Sequence, residues 1–165
     1  MRIGLLSDSH GASLRLAAAV GMLAARGART LIHCGDIDDA ACLDVLAASG
    51  VSVHVTAGNM DRAFSGLEAA CAQRGLIFGR RSVELRLDDG RWLAAMHGHD
   101  ETLVEECIAG GQFAFLCLGH THRRRDELVR GVRVINPGAI FRAHPPSAAL
   151  LDTEGDRVEF IDLPA

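Results

Sequence analysis

Arg2-Ile3-Gly4-Leu5-Leu6-Ser7-Asp8-Ser9-His10, near the start of a chain of 165 residues, is an apolar run of strand length that ends abruptly in an acid and an imidazole. Behind it, residues 13–26 place Leu16, Val20 and Leu23 on one helical face, and Gly27 stands where a helix would stop. A strand that empties into a polar turn and then a helix is the opening of a βαβ unit. The pattern recurs with a strand at 30–33, a helix from Asp38 or Asp39 to about Ser49, a strand at 51–56 and a helix at about 63–74. The first half of the chain therefore predicts a parallel sheet carrying helices.

From Ser82 the texture changes. Val83, Leu85 and Leu87 alternate with polar residues, and Asp89-Gly90 is a hairpin signal before a strand at 92–96, so the sheet is expected to turn antiparallel. A helix at about 101–108 ends at Gly110-Gly111, and 113–118 is apolar enough for a strand buried on both faces. Strands at 132–135, 148–152 and 157–161 follow. About ten strands and four helices predict an α/β fold of two sheets packed face to face with helices outside. At this length, residues 1–165 are expected to form one domain.

Composition sets the outer bounds. Apolar residues make up 48% and charged residues 23%, as in ordinary globular chains, which excludes a disordered or fibrous protein. The longest apolar stretches, such as 113–118, fall far short of the roughly 18 residues a membrane span needs. The N-terminal apolar run is too short for a signal-peptide core, so a cytoplasmic location is expected. Five cysteines without Cys-x-x-Cys spacing read as reduced thiols. A net charge of -4 supplies no broad basic field for nucleic acid.

The polar residues fall at strand ends. Asp8 and His10 come after the first strand, Asp36 after the second, Asn59 and Asp61 after the third, His97 and His99 after strand 92–96, and His120 and His122 after strand 113–118. In open α/β sheets, ligands bind in the crevice beyond the carboxyl ends of the strands, so these groups are expected to meet in space. Glycines lie beside most of them, at 11, 35, 58, 98 and 119, where a backbone has to turn sharply. Clustered carboxylates repel one another and neutral imidazoles do not neutralise them, so a metal is the simplest physical explanation. Mixed nitrogen and oxygen donors suit manganese, iron, zinc, cobalt or nickel better than calcium. If Asp36 bridges, Asp8, His10, Asp36, Asn59, His97, His120 and His122 divide into two sets of four, the arrangement of a two-metal centre.

Asp8-Ser9-His10, Gly35-Asp36, Gly58-Asn59-Met60-Asp61, His97-Gly98-His99 and Gly119-His120-Thr121-His122 stand in the order and spacing of the calcineurin-like metallophosphoesterase superfamily, which this chain resembles over nearly its whole length. The likeness is nearest to the small single-domain phosphodiesterases of bacteria and archaea, to which Asn136-Pro137-Gly138 adds support. The resemblance implies a four-layer α/β/β/α sandwich of two mixed sheets with outer helices. It implies that Asp8, His10 and His122 hold one metal and Asn59, His97 and His120 the other, with Asp36 between them. It also implies two divalent ions, manganese first among the candidates, and hydrolysis of a small phosphoester by hydroxide held between them. Relatives associate, so a homo-oligomer is among the expectations.

One position departs from that pattern: Met60 stands where much of the superfamily has a histidine that assists the leaving group. A water or His99 then supplies the proton, or the substrate has a leaving group that needs none. Asp61 is a candidate catalytic residue or a turn residue, and His99 a candidate acid or substrate contact or a packing histidine. His54, alternating with Val53 and Val55, reads as pointing out of a strand or packing on a helix, and His33 and Cys34 as buried neighbours of the site. His144 reads as loop, and Arg123-Arg124-Arg125 as a solvated hairpin tip, with phosphate contact as the alternative. Two rival functions remain: a catalytically weak binding or scaffold module on the same fold, and a nuclease. The nuclease is disfavoured by the net charge and by only seven aromatic residues.

Overall fold

The computed structural model describes residues 1–164. Strands β1 (Arg2–Leu6), β2 (Thr30–His33), β3 (Ser52–Thr56) and β4 (Ile77–Gly79) run parallel, connected by helices α1 (Ser13–Ala25), α2 (Ala40–Ala47) and α3 (Leu67–Gln73). Strands β5 (Ser82–Arg86), β6 (Trp92–Met96), β7 (Phe115–Cys117), β8 (Arg124–Val129) and β9 (Val132–Pro137) form a second sheet, with helix α4 (Glu101–Gly110) between β6 and β7. The chain then returns as β10 (Ser147–Asp152) and β11 (Arg157–Asp162), which pair antiparallel beside β1. The orders are β11-β10-β1-β2-β3-β4 and β5-β6-β7-β9-β8.

Three separate apolar clusters define four layers. Leu6, Leu31, Val53 and Val55 face Leu16, Leu23, Leu43 and Leu46 of the helices on the first sheet. Ile3, Leu5, Ile32, Leu93, Phe115 and Ile135 fill the space between the sheets. Ala94, Met96, Leu116 and Val134 lie under Leu103, Val104 and Ile108 of α4 on the far face of the second sheet. The strict alternation of neighbours such as Leu5 and Leu6, or Leu31 and Ile32, between clusters follows from the two-residue period of a strand.

The helix boundaries follow local chemistry. The Asp39 carboxylate caps α2 by accepting from the Ala41 N–H at 2.8 Å, and Asp100 caps α4 through the Leu103 N–H at 3.1 Å. Gly27, at φ 80°, and Gly111, at φ 60°, follow α1 and α4 in left-handed conformations.

The structure differs from the sequence expectations in four places. Strand β4 is only three residues, too short to show periodicity, and β8 is a charged edge strand that shows none. Such charge on an edge discourages pairing with another chain. The second sheet is not antiparallel throughout: β6, β7 and β9 run parallel, because the crossover helix α4 returns the chain between β6 and β7, and the edge strand β8 returns it between β7 and β9. The helix expected at 63–74 is split into a short 3-10 turn at Met60–Ala63 and α3, separated by Gly66 at φ 83°. Arg123–125 does not form a hairpin tip, since Arg124 and Arg125 open β8, where they pair with Asp162 and Glu127.

All five cysteines are free. Among the described residues no helix is long and apolar enough to cross a membrane.

Phe115 is among the largest fully buried side chains and sits between the sheets with Arg91 over its ring at 5.0 Å. Phe115→Ala is expected to cost about 3–5 kcal/mol. Urea unfolding checks this; a loss below about 1 kcal/mol would mean that the inter-sheet core is not close-packed there.

Candidate metal centre

The seven candidate ligands stand at the carboxyl ends of β1, β2, β3, β6 and β7, so both sheets contribute to one crevice. Backbone bonds join these loops: Asp8 N–H to Gly35 O at 3.0 Å, His10 N–H to Asp36 O at 3.0 Å, and Gly119 N–H to His97 O at 2.9 Å. Asp8, His10, Asp36, His120 and His122 all have positive φ, between 43° and 67°. A left-handed backbone at a residue with a Cβ costs about 1–3 kcal/mol and persists only where the surroundings enforce it. Gly58 and Gly119 serve space rather than φ, because a Cβ there would collide with Asp36 Oδ1 and Ser7 Oγ respectively.

The side chains of Asp8, His10, Asp36, His97 and His122 stand together in this crevice. Asp8, His10 and His122 bring ligand atoms together in one group, and Asp8, Asp36 and His97 in another. Asp8, not Asp36, is common to both groups. Asp36 Oδ2 nevertheless stands 3.3 Å from His97 Nε2 and 3.9 Å from His10 Nε2, between the two histidines. Asn59 Oδ1 lies 3.1 Å from His97 Nε2, and the His120 ring centroid lies 5.1 Å from that of His97.

The outer ring nitrogens of three histidines are already engaged. His97 Nδ1 meets Cys34 O at 2.7 Å, His10 Nδ1 meets Asp38 Oδ2 at 2.8 Å, and His122 Nδ1 meets Arg142 O at 3.3 Å. A proton on each Nδ1 leaves the Nε2 lone pair directed inward. Around His97 Nε2 the neighbours are then Asp36 Oδ2 and Asn59 Oδ1, both acceptors, and His10 Nε2 faces His122 Nε2 at 3.4 Å. Acceptors aimed at one another call for a cation between them. Asp8 Oδ1 is buried with no hydrogen-bond partner, although His122 Nε2 is 3.2 Å away.

Without a metal, a proton shared between His97 Nε2 and Asp36 stands in for that cation. Burial pushes the Asp8 carboxyl up, against the Ser7 hydroxyl that donates to Oδ2 at 2.5 Å. For Asp36 burial also pushes upward, but the His97 hydrogen bond and charge outweigh it and hold the carboxyl low. Burial pulls His97 down, yet its bond to Asp36 and the charges of Asp8 and Asp36 raise it overall. The carboxylates thus demand positive charge at this point. The donor set fits a divalent metal.

Asp61 takes no part in that convergence. Its two oxygens accept from the backbone N–H groups of Asp36, Ile37, Asp38 and Gly58, at 2.8–3.0 Å, and so clamp the Asp36 loop onto the Gly58 loop. Asn136 plays the corresponding part for the histidine loop: its amide donates to Gly119 O at 2.6 Å and to Thr121 Oγ1 at 3.2 Å. Sequence reading missed Asp38 as the partner of His10 and Ser7 as the partner of Asp8; each follows a strand, where Asp and Ser also serve as helix caps and turn residues.

The remaining candidates divide clearly. Met60 is 50% exposed, and its backbone N–H, not its side chain, serves the site by donating to Asp36 Oδ1 at 2.9 Å. His99 is exposed, with its ring 5.4 Å from His97 and 6.3 Å from His120. Partial burial lowers its pKa, helped by the neighbouring side chains of His97, His120 and Arg62. His54 does not pack on a helix; it is buried on the face of β3 turned toward the other sheet, in register with Ile32. His33 is fully buried, with Nε2 3.1 Å from Ser9 Oγ and Nδ1 without a partner. His144 lies outside the strands and helices, in the loop between β9 and β10.

A sandwich of two mixed sheets with an acid and imidazole cluster across their carboxyl ends defines a metallophosphoesterase fold. The model of the calcineurin-like phosphoesterase superfamily domain matches residues 1–156, and the chain belongs to that superfamily. It is 30% identical over 159 residues to a phosphodiesterase of Methanocaldococcus jannaschii, covering 93% of this chain and 94% of that one. The solved structure of an archaeal phosphodiesterase superposes with a TM-score of 0.88 at 28% identity, covering 99% of this chain and 100% of the other. A phosphoesterase from E. coli shares the fold at a TM-score of 0.70 and 19% identity, with 99% and 100% coverage.

Two outcomes follow from this geometry. Gly58→Ala is expected to displace Asp36 and weaken Mn²⁺ binding at least about tenfold in calorimetric titration; unchanged affinity would show that the Asp36 loop tolerates the shift. His33 stays neutral when folded, because burial, then the nearby His97, lower its pKa to about 3. The unfolded chain takes up that proton near pH 6.5, so its stabilising contribution is complete above 6.5 and is lost as pH falls toward 3, on the order of 4 kcal/mol. In metal-free protein, His33→Gln is expected to flatten this slope in urea titrations between pH 7 and 4; parallel slopes would contradict it.

Proposed function

We propose that the protein is a dinuclear-metal-dependent phosphoesterase acting on a small phosphodiester or phosphomonoester. The observation that carries this reading is the buried, unpartnered Asp8 Oδ1 set among His10, His122, Asp36 and His97. Asp8, His10 and His122 would hold one ion and Asn59, His97 and His120 the other, with Asp36 shared. When bound, two divalent cations, manganese first among the candidates, lower the pKa of a water and polarise the phosphoryl oxygens. Asp38, Cys34 O and Arg142 O hold the three imidazoles in the tautomer that offers Nε2 inward. Asp61 is a positioning residue that keeps Asp36 and Asn59 in register, and His99 is placed to touch substrate. The reduced cysteines and the lack of a broad basic field support a cytoplasmic enzyme acting on small substrates.

Met60 favours one alternative. A thioether neither donates nor accepts a catalytic proton, so leaving-group assistance has to come from water or His99, or the substrate must leave unaided, and a binding module on the same fold would need none of these.

Mn²⁺-dependent hydrolysis of bis-p-nitrophenyl phosphate separates the two. The enzyme reading expects turnover that falls by about 10³ in Asp36→Asn and His97→Ala, with circular dichroism unchanged. Metal binding without hydrolysis would favour the binding module.

A further inference from the structure

Beside the metal centre lies a cavity of about 690 Å³, bounded on the site's side by Gly58, Asp61 and His99. That volume falls within the range of pockets that enclose a small organic ligand. It adjoins the metal centre through these motif residues, while its far wall comes from residues 62–69 and 78–81, which carry no recognisable motif. Phe64 and Phe78 line it, and both are half-buried against the helix-side core. Arg62, Arg80 and Arg81 line it as well, all exposed. Arg80 is engaged by Glu68 at 3.1 Å and Arg81 by Asp100 at 3.1 Å. Arg62 has no carboxylate partner among the described residues. Asp61, the one carboxylate at the junction with the metal centre, is consumed by four backbone N–H groups.

This wall offers aromatic surface and guanidinium donors together, on a protein whose net charge is -4. Phenylalanine faces take a planar ring, and guanidinium groups take phosphate in a bidentate fork. A simple phosphate monoester would use none of this, since its one anionic group is occupied at the metals. We infer that the cavity receives one arm of the substrate and that this arm is a nucleoside carrying a second phosphate. The ring lies against Phe64 and Phe78, and the second phosphate is met by Arg62 and Arg80, with Arg80 exchanging Glu68 for the ligand. The inference rests on the phosphoesterase reading and deepens it by naming the substrate class as nucleotide-type phosphodiesters with an additional terminal phosphate.

The test reads binding rather than turnover. Mn²⁺-loaded protein is titrated calorimetrically with 2-deoxyribose 5-phosphate, thymidine 5′-monophosphate and thymidine 3′,5′-bisphosphate. Thymidine monophosphate is expected to bind at least fivefold more tightly than the sugar phosphate, and the bisphosphate at least tenfold more tightly than the monophosphate. In the double variant Arg62→Gln/Arg80→Gln the advantage of the bisphosphate is expected to fall below threefold, with an unchanged melting temperature. Equal affinities in the wild type, or a bisphosphate advantage that survives the double variant, would overturn the inference. Turnover of bis-p-nitrophenyl phosphate, measured on the same sample, keeps the two readings apart. An active enzyme without nucleotide preference defeats the cavity alone, whereas absent turnover defeats the hydrolytic reading.

Discussion

Two carboxylates, Asp8 and Asp36, are buried where the two sheets meet, and the charge they carry sets the terms for everything around them. A buried carboxylate is tolerable when hydrogen bonds and opposite charge surround it, and costs several kcal/mol when they do not. Here the donors cover one oxygen of Asp8, through Ser7 and the His120 N–H, and leave the other bare. The imidazoles that could answer it have their Nδ1 atoms committed elsewhere and turn lone pairs toward the same space. Divalent cations would balance the arrangement, and protonated histidine is only a partial substitute.

Holding that arrangement needs strained backbone at five of the seven positions, and the strain explains the supporting cast. Asp61 binds the second and third loops together with four hydrogen bonds, Asn136 ties the histidine loop to β9, and Gly58 and Gly119 allow loops to approach closer than any side chain would permit. The inter-sheet core beneath, with Phe115 and Leu5 fully enclosed, fixes the distance between the loops of the first sheet and those of the second. Rigid layers below and over-determined loops above are what a preorganised centre requires.

Much of this was legible in the sequence, for a physical reason: an Asp or His directly after a fully apolar strand has little structural purpose, so five such cases in one chain declare a site. The layers were legible because helical and strand periods differ. What escaped reading had no period or had two meanings. Strand β8 is charged along both faces because it is an edge, β4 is three residues long, and Asp38 resembles a helix cap although Asp39 caps and Asp38 orients His10. The face on which His54 lies follows from sheet packing rather than from its neighbours in sequence. The arginine and phenylalanine cavity was invisible, since loops at 62–66 and 78–81 meet only in the folded chain.

The central claim is that Asp36 stands between two metal ions. Anomalous scattering recorded at the manganese edge, from crystals grown with Mn²⁺, tests it most directly. The account predicts two peaks per chain within the crevice, one beside Asp8, His10 and His122 and one beside Asn59, His97 and His120, with the Asp36 carboxylate between them. A crevice without peaks, in which Asp8 and Asp36 are instead paired with protonated imidazoles, would contradict it.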